Sequence, residues 1–424
     1  MPFTNCELKV REALGHGDIA AGQLLVREFL FQHPGDAAAE RVLEELQAAF
    51  RALPEAEQIA TCTASALGPR ELVVEISGRC NLKCPMCIGV SGADVSNLIH
   101  TPFKAPAVEI ERFIDGCGGN LQKVYLSGIS EPMLAASFRE VCSYIHSKGK
   151  ACGFITNGTL LNDDSCAFIA SLDNFSVGIS FDGATPETFE RIRHGASFPR
   201  VVDNIRNLTK AFGNKNRTSC FVGFNFCSMS SNIDELPAVV ELAASLGVDN
   251  VHAHHVVPQS VDMVEESLFF HQQRSDDVML AAETRAKALG LSFSRPEPFR
   301  AGGQARFSDA WKRCDHPWRV LQIQRFKVAT CCTYVLAENE RAGEMENYEQ
   351  IYPNIASAAL WNSDSLRQLR RSLFSGTPSR HCRECMNYPY DRVVTPKKLL
   401  PCDNRRESPV AERFMALAQA KGLI

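Results

Sequence analysis

Six short apolar runs, each followed by a segment of helical period, restrict this chain to a narrow set of folds. The runs occupy 73–77, 123–127, 151–156, 174–181, 220–226 and 250–256. Between them, segments such as 201–212 and 234–246 place apolar residues three and four positions apart, the period of a helix with one buried face. Strands and helices alternating in this way build βα units around a parallel sheet. The expected fold class is therefore α/β: a partial (β/α)6 TIM-like barrel, with its active site at the C-terminal ends of the strands.

The flanks break that rhythm. Ile19–Gln32 and 37–50 both have helical period, and Pro34-Gly35-Asp36 separates them. One helix pair is too little to stack as a repeat array, which leaves a cap on the catalytic domain or a docking unit for a partner. Beyond a helix ending near Leu289, 320–324 and 327–333 read as a hairpin and 365–374 as a helix. The expected organisation is an N-terminal helical unit (1–66), the barrel (67–300), a small C-terminal α+β domain (301–398) and a Pro-rich, charged tail (399–424).

The 424-residue chain is 45% hydrophobic and 22% charged, enough to bury a large core in two or three units. Its formal net charge of -4 gives no electrostatic reason to expect nucleic acid or a membrane surface as the main partner. No apolar run approaches the ~20 residues of a membrane helix, and Met1-Pro2-Phe3-Thr4-Asn5-Cys6 lacks the basic and apolar regions of a signal peptide. A cytoplasmic location is expected. In that reducing compartment the 17 cysteines bind metal more readily than they pair as disulfides.

Three of these cysteines carry the strongest signal. Arg79-Cys80-Asn81-Leu82-Lys83-Cys84-Pro85-Met86-Cys87 follows directly on the first strand and sets three thiols on one tight loop. Four cysteines close a [4Fe–4S] cluster coordinatively, whereas three leave one iron free to chelate another molecule. Structural zinc asks for four ligands, and no fourth Cys or His lies nearby in the sequence.

This loop, in this place, resembles the radical S-adenosylmethionine (radical SAM) superfamily, and the resemblance runs over residues 70–390. It implies that Cys80, Cys84 and Cys87 hold a catalytic [4Fe–4S] cluster whose open iron binds the amino and carboxylate groups of S-adenosylmethionine. Reductive cleavage would then give methionine and a 5′-deoxyadenosyl radical that abstracts hydrogen from substrate. Met86 stands where the family usually has an aromatic residue packing near the adenine, a polarisable but non-planar substitute. Leu126-Ser127-Gly128-Ile129-Ser130-Glu131-Pro132 stands where the family has Gly-Gly-Glu-Pro, with Ile129-Ser130 in place of the second glycine. On that likeness Gly128 and Ser130 belong to the cofactor loop, and Glu131 accepts from the ammonium group of the methionine moiety. The likeness also gives Asn157 a place lining the pocket, Ser180 and Asp182 the ribose hydroxyls, Arg193 the cofactor carboxylate and Val256 the adenine.

Without the resemblance, Asn157-Gly158 and Asp182-Gly183 read as turns, and Arg193 as a solvated residue of a helix capped by Thr185. His252 and His254 share one face of the sixth strand and His255 takes the other; they read as acid–base groups or as sheet-end residues.

Cys314, Cys331, Cys332, Cys382 and Cys385 form a second group, which suits either a closed [4Fe–4S] cluster or structural zinc. With Trp361 and the helix before Cys382, it resembles twitch, the shortened form of the SPASM auxiliary-cluster domain. The resemblance implies one auxiliary [4Fe–4S] cluster on Cys314, Cys331 with Cys332 as its substitute, Cys382 and Cys385. A coordinatively closed cluster is suited to moving an electron. The expected function is net oxidation of a small polar metabolite, such as a sugar or cyclitol, by a radical SAM oxidoreductase served by an external flavodoxin- or ferredoxin-like reductant. A peptide- or protein-modifying maturase is the alternative, and a non-catalytic iron–sulfur or zinc protein the third reading.

Overall fold

The computed structural model describes residues 3–62, 68–91, 106–213, 220–296, 298–299, 310–324, 327–330, 357–383 and 409–424. They fall into two compact units, one of 73–111, 122–305 and 393–424, the other of 1–72, 112–121 and 306–392.

The first unit is built on a row of strands in sequence order: β1 (Glu71–Val74), β2 (Lys123–Leu126), β3 (Ala151–Thr156), β4 (Phe175–Ser180), β5 (Cys220–Ser228), β6 (Asn250–His255) and β7 (Ser292–Ser294). Every neighbouring pair from β2 to β7 is parallel. The row does not close on itself, so the α/β fold is a partial barrel. Strands β2 to β6 lie where the apolar runs place them, and β1 begins two residues before its run and ends at Val74. The seventh is three residues long and two-thirds serine, too short and too polar to announce itself, and it is held in register by β6 through Val251 opposite Phe293.

Successive residues of a strand point to opposite faces. Val177 and Ile179 of β4, Val222, Phe224 and Phe226 of β5, and Val251 and Ala253 of β6 are fully buried, and Phe181 stacks on Phe224 at 4.6 Å. The helix Phe198–Gly213 contributes Val201, Ile205, Leu208 and Phe212, spaced at three and four, to the same buried layer. The tail carries a helix, Pro409–Ala420, whose Phe414 meets Phe269 and Phe270 at 5.5 and 4.8 Å.

The second unit joins the N-terminal helices to segments of 306–392. Its N-terminal helices are Thr4–Gly15, Ile19–Gln32, Ala37–Ala52 and Glu55–Cys62. Asp18 accepts from Ala21 N, and Asp36 from Ala38 and Ala39 N, capping the second and third helices. Phe50 of the third helix packs edge-on against Phe374, which is also stacked on Trp318. Arg370, fully buried in the helix Asp364–Phe374, donates to the carbonyls of Pro317 and Trp361, each at 2.8 Å. The N-terminal helices and the C-terminal segments thus share one core. Beside it, β8 (Val320–Gln324) and β9 (Lys327–Ala329) form the expected antiparallel hairpin. Among the described residues no helix is long and apolar enough to cross a membrane.

Candidate active site

The three-cysteine loop begins a few residues beyond β1, after Ser77, and is pinned at several points. Ser77 accepts from Arg79 N, Glu131 N donates to Arg79 O at 2.9 Å, and Lys83 N donates to His194 O at 3.0 Å. Cys87 N returns to Cys84 O at 3.0 Å, closing the turn that brings the last two thiols together. Leu82 N and Asn157 Nδ2 face Cys80 Sγ at 3.5 and 3.9 Å, and Arg193 Nη1 faces Cys84 Sγ at 3.8 Å.

That is the donor set an iron–sulfur cluster takes: three thiols with N–H groups aimed at two of the sulfurs. Burial pushes the Cys80 thiol up and the Cys84 thiol up to about 11. Ligation of iron, which requires the thiolate, would offset that penalty. Among the described residues no three ligand-type side chains close on one ion-sized point, and a cubane, several ångströms across, does not ask them to. The residues fit the group.

Glu131 is the hub of the loop after β2. Only 2% exposed, its Oε1 accepts from Thr156 Oγ1 at 2.8 Å and Met133 N at 3.2 Å, and its Oε2 from Asn157 N at 2.8 Å. Burial holds its carboxyl up, at about 7, against the pull of these donors and of Arg193. Asn157 continues the network through Nδ2 to Asn81 Oδ1 at 2.9 Å.

Behind the loop lies a carboxylate that the sequence does not single out. Glu75 is 1% exposed, and its Oε1 accepts from Ile129 N at 3.0 Å and Ser130 Oγ at 3.3 Å. Ser130 also donates to Ser77 O, so its hydroxyl is spent on bracing the loop. Gly128 is needed for the same reason: a Cβ there would lie 2.3 Å from Glu75 Cδ. The close approach this glycine permits is to Glu75. Gly128→Ala is expected to destabilise the protein by about 1–3 kcal/mol through overpacking, read from urea unfolding.

Asp182 and Arg193 form a buried ion pair, Oδ2 to Nη2 at 2.5 Å, while Asp182 Oδ1 accepts from Cys227 N at 2.7 Å. Burial opposes the charge on both, yet Arg193 is held up by Asp182 and by the nearby thiols of Cys84 and Cys227. The contact has the geometry of an ion pair, and Arg193 opposes the rise that burial imposes on Asp182. The Asp182 carboxylate is therefore turned to Arg193 and the backbone, and Arg193 lies between that carboxylate and the cysteine loop. Removing one partner of a buried pair strands the other charge, at a cost of about 3–5 kcal/mol. Asp182→Ala is expected to lower the unfolding free energy by about that much in a guanidinium titration.

Met86 and Val256 lie in one apolar cluster with Ile192, Cys227, Met229 and Met263. Of these, Cys227 and Met229 lie in and just beyond the end of β5, where nothing in the sequence marks them as site residues. Ser180 ends β4, half-buried and in register with Asn225. On β6, His252 Nδ1 meets Ser294 Oγ at 2.8 Å and the His252 and His254 rings stack at 5.7 Å. Burial, then His252 and Arg193, lower His254 to about 3; burial lowers His255 to about 4. Both stay uncharged at neutral pH.

In the other unit, Cys314 and Cys382 are half-buried and both act on the charge of Arg27. Cys331, Cys332 and Cys385 lie outside the described residues.

Residues 74–236 match the Radical SAM superfamily. The chain is 26% identical over 200 residues to the tungsten-containing aldehyde ferredoxin oxidoreductase cofactor-modifying protein of Pyrococcus furiosus, covering 47% of this chain and 54% of that protein. It is 30% identical over 178 residues to the mycofactocin maturase MftC of Mycolicibacterium smegmatis, covering 42% of each. The chain spans about half the length of the curated relatives it matches. Among solved structures, Streptococcus suis SuiB bound to precursor peptide SuiA matches 78% of this chain and 72% of its own, with a TM-score of 0.55 at 15% identity. The anSMEcpe structure with bound AdoMet matches 83% of this chain and 98% of its own, with a TM-score of 0.54, also at 15% identity. Both are likenesses of fold.

Proposed function

We propose that this chain, a member of the radical SAM superfamily, cleaves S-adenosylmethionine reductively and takes a hydrogen atom from a peptide-derived or cofactor precursor. The observation that carries the reading is the loop of Cys80, Cys84 and Cys87 at the end of β1, ringed by Glu131, Asn157 and Arg193. Cys80, Cys84 and Cys87 would hold a [4Fe–4S] cluster, which when bound would supply a free iron site for the methionine moiety and the electron for reductive cleavage.

The chain's own residues would do the rest. Glu131 would receive the cofactor's ammonium on a carboxylate whose other lone pairs are already ordered by Thr156 and Asn157. Arg193, its charge fixed by Asp182, would orient the cofactor carboxylate. Met86 and Val256 would pack the adenine, and Ser180 would reach the ribose. The site lies at the C-terminal ends of parallel strands, where such folds bind their ligands.

The precursor class is supported by the names of the curated relatives, a maturase and a cofactor-modifying protein. Oxidation of a sugar or cyclitol is the second reading, in which the half-buried His252 of β6, oriented by Ser294, would stand at the strand end where such a substrate reacts. Candidate precursors deuterated at the reacting carbon distinguish the two. Label transferred to 5′-deoxyadenosine from a peptide or cofactor precursor is the expected result; transfer only from a polyol would overturn the first reading.

A further inference from the structure

Arg27, in the N-terminal helix Ile19–Gln32, is 0% exposed. A cation out of water needs an opposing charge as well as acceptors. The acceptors the structure gives it are neutral: Nη1 donates to Trp311 O, and Nη2 to Leu373 O at 2.8 Å. Its guanidinium carbon lies 5.7 Å from the Trp318 ring. Among the described residues its Nε has no hydrogen-bond partner.

Its surroundings name the missing charge. Trp311 belongs to the helix Ala310–Arg313, which ends one residue before Cys314. That short helix packs against both Ile19–Gln32 and Arg380–Arg383, the helix of Cys382. Burial lowers the guanidinium to about 10, and the charges that resist the fall are those of Cys314, Cys382 and Asp315, in that order. Two thiols on separate segments thus lie, with Asp315, on the elements around a buried cation, and as thiolates they would bring it charge that its neutral carbonyl acceptors do not.

We infer that Arg27 is a positioning residue for the auxiliary iron–sulfur centre, a buried counter-charge that offsets the negative charge of a cluster bound through Cys314 and Cys382 and raises its reduction potential. The inference rests on the reading of those cysteines as cluster ligands. Reduction adds one electron to an already anionic centre, and in a low-dielectric interior a nearby cation favours that state. The N-terminal helices are on this account part of the electron-transfer machinery, since they supply a charge the C-terminal segments need.

The test is an anaerobic redox titration of the reconstituted full chain, followed by electron paramagnetic resonance, on wild type, Arg27→Gln and Arg27→Lys, with iron counted in each and in Cys314→Ala. In Arg27→Gln the equilibrium constant for electron uptake by the second cluster is expected to fall about tenfold, a shift of about 59 mV for one electron. Arg27→Lys, which keeps the charge, is expected to stay near wild type, and the first cluster's signal to stay put in both. An unmoved midpoint in Arg27→Gln overturns the inference. So does loss of the second cluster from both variants in a folded chain, which would reduce Arg27 to a packing residue. If Cys314→Ala retains all the iron of wild type, the ligand reading itself fails, and the inference with it.

Discussion

Replacing Cys80, Cys84 and Cys87 together by alanine is expected to remove about four irons per chain and to lower S-adenosylmethionine cleavage more than about 10³-fold, at least about 4 kcal/mol of barrier. The expectation follows from how little else the loop could use those thiols for. They sit on a loop already pinned by Ser77, Glu131 and His194 through groups other than sulfur, so the fold keeps its backbone anchors when they are lost. The N–H groups of Leu82 and Asn157 and the guanidinium of Arg193 point at the sulfurs, an arrangement with no purpose around neutral methyl groups. Iron and acid-labile sulfide analysis with circular dichroism separates loss of the cluster from loss of the fold.

The second large effect is expected at Glu131. In Glu131→Gln one of the three donors that converge on the carboxylate, Met133 N or Asn157 N, must face an N–H of the new amide. That clash costs about 1–3 kcal/mol of stability. Loss of the negative charge opposite the cofactor's ammonium should weaken S-adenosylmethionine binding roughly 10- to 100-fold, the worth of a charged hydrogen bond. The sign with pH follows from the carboxyl being held at about 7. Below that pH it is protonated and cannot pair with a cation, so wild-type affinity should rise as pH passes about 7. The variant should lack the inflection. Equilibrium dialysis with labelled S-adenosylmethionine between pH 6 and 8 checks both.

The barrel and the cysteine loop were legible because their signals are local: a strand's alternation, a helix's period and the spacing of three thiols are all written within a few residues. The family resemblance assigns both Met86 and Val256 to the adenine, and the fold packs them in one apolar cluster. Glu75 could not be found that way, since its burial depends on Ile129 and Ser130, more than fifty residues later. For the same reason the sequence shows Gly128 as part of the cofactor loop but not that a Cβ there would meet Glu75. Asp182 and Arg193 were each visible, but not that they neutralise each other, which only the folded chain decides. Arg27 is the extreme case: its partner Leu373 lies 346 residues away, and within its own helix it reads as an ordinary polar position.

The central claim is that the chain generates a 5′-deoxyadenosyl radical at the Cys80, Cys84 and Cys87 loop. Its most direct test is electron paramagnetic resonance of the anaerobically reconstituted, dithionite-reduced protein with and without S-adenosylmethionine, followed by quantitation of 5′-deoxyadenosine. The account predicts a reduced-cluster signal that changes on adding S-adenosylmethionine, is missing from the triple alanine variant, and is accompanied by 5′-deoxyadenosine formation. A signal indifferent to S-adenosylmethionine, with no 5′-deoxyadenosine formed, would contradict it.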